Sequence, residues 1–446
     1  MRMFQQLKLF LEDKVVWMRL LVSIVLSFVL AIVVTILDAR YVGWVDHLPQ
    51  VFLTSAKFAQ MVISTLAGSL FSVATFTFGT ILTVLSFYAS NFSPRIIENF
   101  LFNKVAMQTL SMFLGGFVYC LTSLFLMRES QYEPLVLSGS FALIYAFACV
   151  YYFVRFIYSV SHLIQQDEIV RDLFEETQAA INLVKKDFSD YPLFNHLPEI
   201  KTVHQRTMES TKTGYIEYIN FDGLHKLAQK YKGCIVMTVR IGDFIAAETD
   251  LAVFHSNMKV NNTTELRMAI ENCLTIQNNQ TSQYDYKFGL SKIVDVGLRA
   301  ASPSTNDPNS VIEIIRFMTI LLGDLAEIPG RYMLVSDSME HKEQTFEGSV
   351  FYDYNHFTKD IYESFWQLIT YVSSDLSIVI TLYDMLYQVA RRSHKTNLAY
   401  LKDFVKYLDA KTKDNFPHAQ ERSMIDQRIQ KIHGVRPDED DFLIET

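Results

Sequence analysis

Few residues in this sequence are spaced for chemistry, and the clearest set is a run of small and hydroxyl side chains. Thr65, Gly68, Ser69, Ser72, Thr75, Gly79, Thr80, Thr83 and Ser86 recur at intervals that place them within one sector of an α-helix. Phe76 and Phe87 are the main interruptions. The opposite sector holds Leu66, Leu70, Phe71, Val73, Phe78, Ile81, Leu82, Val84 and Leu85, with Thr77 as the exception. Two physical readings are open. Small side chains let helices approach closely, their hydroxyls bonding across to a neighbour or back to carbonyls of their own helix. The same face would also line a hydrated path around an oligomer axis, where hydroxyls replace lost water ligands. The stripe carries no charge, which disfavours a proton relay or a strongly charge-selective filter along it.

Two further polar sets stand out. Ser93, Pro94 and Arg95 form a helix start: the serine hydroxyl caps free amides and proline suits the first turn. Ile96, Ile97, Phe100, Leu101 and Phe102 then make an amphipathic elbow suited to the inner membrane face. Arg95 either binds a lipid phosphate or cytosolic carboxylate, or simply anchors the topology. The densest polar set of the C-terminal half surrounds one loop, with Asp295, Arg299, Ser302, Asn306 and Asp307. Asp295 and Arg299 are spaced for an ion pair on a helix surface, and Asp307 before Pro308 is a helix cap. Capping and that pair account for most of the set, and a small-ligand site is the alternative.

Enzymatic chemistry has little to stand on. The eleven histidines are scattered without HExxH, and the sequence contains no P-loop, GxSxG or dinucleotide fingerprint. The four cysteines include no CxxC, which fits a reducing compartment and excludes the usual zinc spacings. No catalytic residue, metal or cofactor is therefore expected.

The elements that must position these residues begin with long apolar runs. A membrane-spanning helix needs about 20 mostly apolar residues. Val15–Leu37, Phe58–Tyr88, Thr109–Met127 and Leu135–Ile157 qualify, and the polar stripe lies in the second. Arg19 sits near the start of the first, where it can snorkel toward headgroups. The N-terminus is not a secretory signal, because its apolar segment is too long and further spans follow. Arg2, Lys8, Lys14, Arg19, Arg95, Lys104 and Arg155 fall on one side of the resulting topology, against Arg40, Lys57 and Arg128 on the other. The excess of bases expects both termini in the cytosol. Aromatics from Tyr151 to Tyr158 suit the interfacial belt at the end of span four, and that helix is expected to run on through Leu173.

Charge separates the two parts of the chain. Residues 1–160 hold ten Lys and Arg against seven Asp and Glu, a net of +3. The remaining 30 bases and 41 acids give residues 161–446 a net of −11. An acidic C-terminal part argues against nucleic-acid binding, which needs clustered bases.

The expected fold class is an α-helical membrane protein with four transmembrane helices and a cytosolic α+β, mostly helical domain containing a small β unit. Its organisation is expected to be a transmembrane domain over 1–160, a connecting helix and linker over 161–192, a small β-rich unit over 193–260 and a helical domain over 261–446. In the β unit, Thr213–Ile219, Cys234–Val239 and Leu251–Phe254 read as strands, with Asp222 capping a short helix through Lys230. Helices are expected over Thr263–Gln277, Tyr286–Ala301, Pro308–Leu325, Asn355–Val372, Asp375–Arg392, Thr396–Lys411 and Ala419–Ile432, before an acidic tail at 437–441.

Several stretches resemble a bacterial family of predicted membrane proteins with a domain of unknown function (domain of unknown function 2254). They are Asn91-Phe92-Ser93-Pro94-Arg95, Gly214-Tyr215-Ile216, Gly242-Asp243-Phe244, and Phe288-Gly289-Leu290 through Asp295, Arg299, Ser302-Pro303 and Asn306-Asp307-Pro308. The family pattern differs at Ser304, where it has Gly, and at Gln280 and Tyr284, where it has Arg and Gln. The resemblance implies four spans followed by a cytosolic domain in a bacterial inner membrane, and no established activity. Taken together, these features expect an oligomeric channel or transport protein with a cytosolic assembly or gating domain, and as the alternative a membrane-anchored ligand-sensing or scaffolding module. The expected partners are the lipid bilayer and further copies of the chain; the permeant ion or ligand is not legible.

Overall fold

The structure is a computed structural model that describes residues 2–38, 53–91, 104–127, 135–163, 166–189, 191–260, 262–336, 346–354 and 356–436. It divides into two compact units, Met1–Ile169 and Val170–Thr446.

The first unit is built on four helices: α1 (Arg2–Asp38), α2 (Ala56–Asn91), α3 (Lys104–Leu126) and α4 (Ser138–Leu163). Each contains a stretch long and apolar enough to cross a membrane: Leu20–Asp38, Ala56–Phe87, Val105–Leu126 and Ser138–Ser161. A helix satisfies every backbone amide within itself, as a lipid environment demands. Helix α3 packs against the other three. Its Gly115 and Gly116 permit that approach: a Cβ at Gly115 would lie 2.6 Å from both Ser27 Oγ and Tyr145 Oη. The core around them holds Ala31, Val34, Ala59, Ile63, Ala67, Leu70, Phe113, Tyr119 and Ala142.

Several polar groups in the bundle are paired across helices. Ser27 Oγ and Tyr145 Oη lie 2.9 Å apart, Thr109 Oγ1 donates to Tyr152 O at 3.2 Å, and Tyr119 Oη donates to Ser138 O at 3.0 Å. At the end of α1, the Asp38 carboxylate accepts from Leu137 N at 2.6 Å and Ser138 N at 3.2 Å. It thereby caps amides at the start of α4 that no helical carbonyl can reach. A short antiparallel bridge, β1 (Thr54–Ser55) with β2 (Leu135–Val136), ties the start of α2 to the same end.

The second unit combines two sheets with a helical layer. Its strands are β3 (Leu193–Phe194), β4 (His204–Glu209), β5 (Gly214–Ile219), β6 (Gly233–Met237), β7 (Phe244–Ile245), β8 (Asp250–Ser256), β9 (Leu274–Gln277), β10 (Tyr332–Val335) and β11 (Val350–Asp353). They form one sheet in the order β3-β10-β11-β6-β8-β4 and another in the order β7-β5-β9. Among the described residues of this unit, only the β11–β6 pairing is parallel. Strand β6 is buried along its whole length, as its unbroken apolar run Cys234-Ile235-Val236-Met237 requires.

The helices are α5 (Gln166–Ser189), α6 (Phe221–Lys230), α7 (Thr263–Glu271), α8 (Tyr286–Ala300), α9 (Pro308–Ala326), α10 (Phe357–Val372), α11 (Leu376–Arg392), α12 (Lys395–Thr412) and α13 (Ala419–His433). Helices α8 to α13 pack in adjoining pairs, α8 on α9 and α10, α9 on α11, α10 on α12, and α11 on α13. The buried faces follow the helical period, as in Val311, Ile314, Ile315, Met318, Leu321, Leu322 and Leu325 of α9. Side-chain caps open several of them: Asp285, Asp307 and Asp375 each accept from backbone amides of the following turn.

Four expectations change. The helix expected over Thr263–Gln277 ends at Glu271, and Leu274–Gln277 pairs with β5. The β-branched Thr275 and Ile276 suit that pleated position better than a further helical turn. Helix α6 is capped by Asn220, whose Oδ1 accepts from Gly223 N, while Asp222 lies in the first turn. The segment after Ala326 is not all helical, since β10 and β11 bring residues 332–353 into the sheet beside β6. Strand β4 also forms from His204–Glu209, a run too polar to suggest a strand, because it needs to bury only Met208 at the sheet edge. Residues 164 and 165, where α4 was expected to run on into α5, lie outside the described residues, as does the acidic tail at 437–441.

Replacing Asp38 by Ala should cost about 1 kcal/mol, the usual scale of a lost N-terminal cap. Asp38→Asn, which keeps an acceptor, should lose less. Thermal denaturation of the purified protein in detergent, followed by tryptophan fluorescence, would show the order wild type, Asn, Ala.

Candidate functional site

The polar face of α2 turns away from the other helices of its bundle. Thr65, Gly68, Ser69, Ser72, Thr75, Gly79, Thr83 and Ser86 are exposed and Thr80 is half-buried. The face that packs instead carries Ala59, Ile63, Ala67, Leu70, Ala74 and Val84, together with Thr77, the one hydroxyl on the apolar side. No atom lies within 4 Å of where a Cβ would stand on Gly68 or Gly79. The hydroxyls bond back to their own helix: Thr65 to Met61 O, Ser69 to Thr65 O, Ser72 to Gly68 O, Thr75 to Phe71 O, Thr80 to Phe76 O and Thr83 to Gly79 O, all at 2.9–3.0 Å. Their protons are engaged, and oxygen lone pairs remain for whatever covers the face. Close helix contact inside the chain is supplied by Gly115 and Gly116 of α3, not by this stripe. The elbow residues Ser93, Pro94 and Arg95 lie outside the described residues.

The loop between α8 and α9 is occupied with its own geometry. Asp307 Oδ1 accepts from Ser310 N at 3.2 Å and Oδ2 from Ser310 Oγ at 2.6 Å, and these bonds hold its carboxyl below the usual range. Ser302 Oγ donates to Arg299 O at 2.7 Å, and Asn306, with φ +45°, donates its amide to Ser302 O at 2.8 Å. Arg299 and Asn306 are exposed, while Asp295, Ser302 and Asp307 are half-buried. These polar groups shape a turn at the surface.

A more enclosed site lies elsewhere in the second unit. A cavity of about 50 Å³ is lined by Val184, Phe221, Ile241, Tyr284, Asp285, Tyr286, Lys287, Tyr352 and Tyr354. Its rim joins segments far apart in sequence. Gln280 Nε2 donates to Asp285 Oδ2 at 2.6 Å and to Gly242 O at 3.3 Å, binding the 240–244 turn to the start of α8. Gly242 has φ +89°, and a Cβ there would run into the Asp285 carboxylate. Asp285 Oδ1 accepts from Lys287 N and Phe288 N at 3.0 and 3.2 Å.

Behind the cavity wall, Tyr286 Oη donates to Asp360 Oδ2 at 2.8 Å. Asp360 is only 3% exposed, and its Oδ1 has no hydrogen-bond partner. Burial pushes this carboxyl up, against the pull of Lys287, the Tyr286 bond, Arg240 and His356. At the end of β11, Asp353 behaves in the opposite sense. Burial works against its charge, yet bonds from His356 Nε2 (2.8 and 2.7 Å) and Arg331 (3.0 and 2.8 Å) hold its carboxyl down at about 2. Among the described residues, no group of three or more His, Cys, Asp and Glu is arranged to hold a metal ion.

Sequence reasoning did not single out Asp360, Tyr286, Tyr352 or Arg240. The signal available was indirect: Gly242-Asp243-Phe244 and Phe288-Gly289-Leu290, both among the family stretches, meet or adjoin the cavity rim. Gln280 and Tyr284, where the family pattern differs, are a rim bond and a lining residue.

Four membrane-length apolar helices joined to a mixed helical and β unit define a membrane protein of mostly helical class. Residues 13–388 match the family described as "Predicted membrane protein (DUF2254)", and the chain belongs to that family. An uncharacterized protein of Mycobacterium bovis is 25% identical over 255 residues, covering 55% of this chain and 48% of its own length. An uncharacterized protein of Mycobacterium tuberculosis matches with the same identity and coverage. The alignment thus spans about half the length of these relatives. No solved structure matches the chain.

The buried carboxyl has a testable consequence. A folded-state pKa above the unfolded one removes stability as pH rises from the ordinary carboxylate range, about 4, to the raised value. Asp360→Asn keeps an acceptor for Tyr286 and has no such dependence. The melting temperature of the variant relative to wild type should therefore be higher at pH 7 than at pH 4. A constant difference across that range would show that Asp360 titrates normally.

Proposed function

We propose that this protein is an oligomeric channel or transport protein of the bacterial inner membrane, with both termini in the cytosol and the second unit serving assembly or gating. One observation carries the reading: the charge-free Ser, Thr and Gly face of α2 points away from its own bundle. In lipid, such a face gains nothing over an apolar one. Against a second copy of α2 it allows close approach, and around a shared axis it offers oxygen atoms to a hydrated solute. The Lys and Arg bias of the connecting segments supports the orientation. A second reading, a membrane-anchored ligand-sensing module without transport, is favoured by the enclosed cavity of the second unit.

Native mass spectrometry of the nanodisc-embedded particle and KCl conductance in planar bilayers test the first reading. A single closed oligomer is expected, and a monomer would remove the axis on which the reading depends. Ser72→Leu and Thr83→Leu should each cut conductance about tenfold, by closing a hydrophobic constriction over the hydrated path, with expression unchanged. Conductance equal to wild type in both variants would refute the pore role of the stripe.

A further inference from the structure

We propose that the cavity of the second unit binds a small oxyanion, the carboxylate or phosphate group of a cytosolic solute. The argument rests on which polar atoms around it are already engaged and which are not. Asp285 is committed to two backbone amides and Gln280, Tyr286 Oη to Asp360, and Tyr354 Oη to Pro329 O at 2.9 Å. Donors of two lining residues remain, with a third on Arg240 next to the lining residue Ile241.

The ammonium of Lys287, a lining residue, lies 6.0 Å from the centre of the Tyr286 ring, with no hydrogen-bond acceptor among the described residues. Tyr352, also lining and 6% exposed, accepts from Ile241 N at 3.1 Å, which leaves its own proton without an acceptor among the described residues. Arg240 precedes the lining residue Ile241, and its Nη1 is buried without a partner. Its nearest carboxylate, Asp243, stands 3.8 Å from Nε.

Two of these donors carry a full positive charge. The buried donors of Arg240 and Tyr352 cost about 1–3 kcal/mol each while they lack an acceptor, and half-buried Lys287 stands beside them, so the site favours a ligand that accepts several hydrogen bonds. The one acceptor left over, Asp360 Oδ1, belongs to a carboxyl that burial drives toward its neutral, donating form. Size narrows the class further. With a water needing about 10–15 Å³ of such volume, the cavity takes a group of about three to five heavy atoms, an acetate or a phosphate and not a nucleotide. The tyrosine and phenylalanine rings around it make much of its wall apolar, which strengthens charge-assisted bonds. This inference does not depend on the α2 stripe and holds whether or not the chain conducts.

The test uses the full chain in detergent, titrated with sodium phosphate and with sodium acetate against sodium chloride at equal ionic strength, while thermal unfolding is followed. A ligand that binds only the folded state raises the melting temperature saturably. Phosphate, acetate or both should do so beyond chloride, and the stronger of the two identifies the group recognised. Lys287→Gln and Tyr352→Phe should each weaken the apparent affinity about tenfold, the scale of one charge-assisted bond, while Lys287→Arg keeps most of it. Lys287→Gln removes no hydrogen bond the structure shows, whereas Tyr352→Phe also loses the bond from Ile241 N, so unliganded melting temperatures measured alongside separate that structural loss from lost anion binding. A response to neither anion, or one that Lys287→Gln and Tyr352→Phe leave intact, overturns the proposal.

Discussion

Inside a bilayer no water is available to satisfy a backbone amide, and that constraint shapes the whole first unit. It forces residues 20–38, 56–87, 105–126 and 138–161 into helices regardless of their side chains' propensities. Once the backbone is satisfied, packing has to come from close contact, because lipid tails and leucines are equally apolar. Gly115 and Gly116 in the middle of α3 meet that need. They admit Ser27 and Tyr145 to the helix surface, and the hydroxyl pair formed there joins α1 to α4. The Asp38 carboxylate performs a related task at the bundle end, where the first amides of α4 would otherwise face an apolar surrounding.

The stripe on α2 is best understood against this background. The glycines of α3 and the Ser, Thr and Gly sector of α2 play two different roles in the bundle. On α3 they lie inside, where neighbours press on them. On α2 they lie outside, beside open space, with each of six hydroxyls bonded to the carbonyl one turn back. That back-bonding lowers the cost of placing hydroxyls on an outer face, yet leaves a line of oxygen atoms unused. Thr77 shows the contrast within one helix, since among the described α2 hydroxyls it alone turns into the bundle and is fully buried.

The second unit obeys different physics. Its strands pair across segments remote in sequence, and a hydrophobic core holds the sheets and irregular turns together. The central strand β6 is buried throughout and acts as the hinge of the architecture, pairing with β8 on one side and with β11, more than a hundred residues later, on the other. The same arrangement delivers Tyr352 at the end of β11 to the 240–244 turn that follows β6. Helices α8 and α10 then bring their first turns to this place, and Tyr286 meets Asp360 there. Opposite environments at neighbouring carboxylates follow directly: Asp353 has the Arg331 guanidinium and a hydrogen bond with His356, and Asp360 has burial.

What the sequence by itself determined is the set of features that depend on local order. Four apolar runs of membrane length, the polar sector of α2, the cap at Asp307, and helices such as Tyr286–Ala300 and Pro308–Ala326 all follow from spacing, because helical hydrogen bonds and caps join residues a few positions apart. Only the tertiary structure decided which face of α2 packs, since an alanine and leucine sector and a serine and threonine sector are both compatible with helix contact. It also decided that Leu274–Gln277, Tyr332–Val335 and Val350–Asp353 are strands, because a strand is stabilised by partners remote in sequence. The cavity belongs to the same class. Gly242, Asp285, Tyr352 and Asp360 are unremarkable residues in their own segments, and their chemistry arises from burial and proximity, which no local spacing encodes.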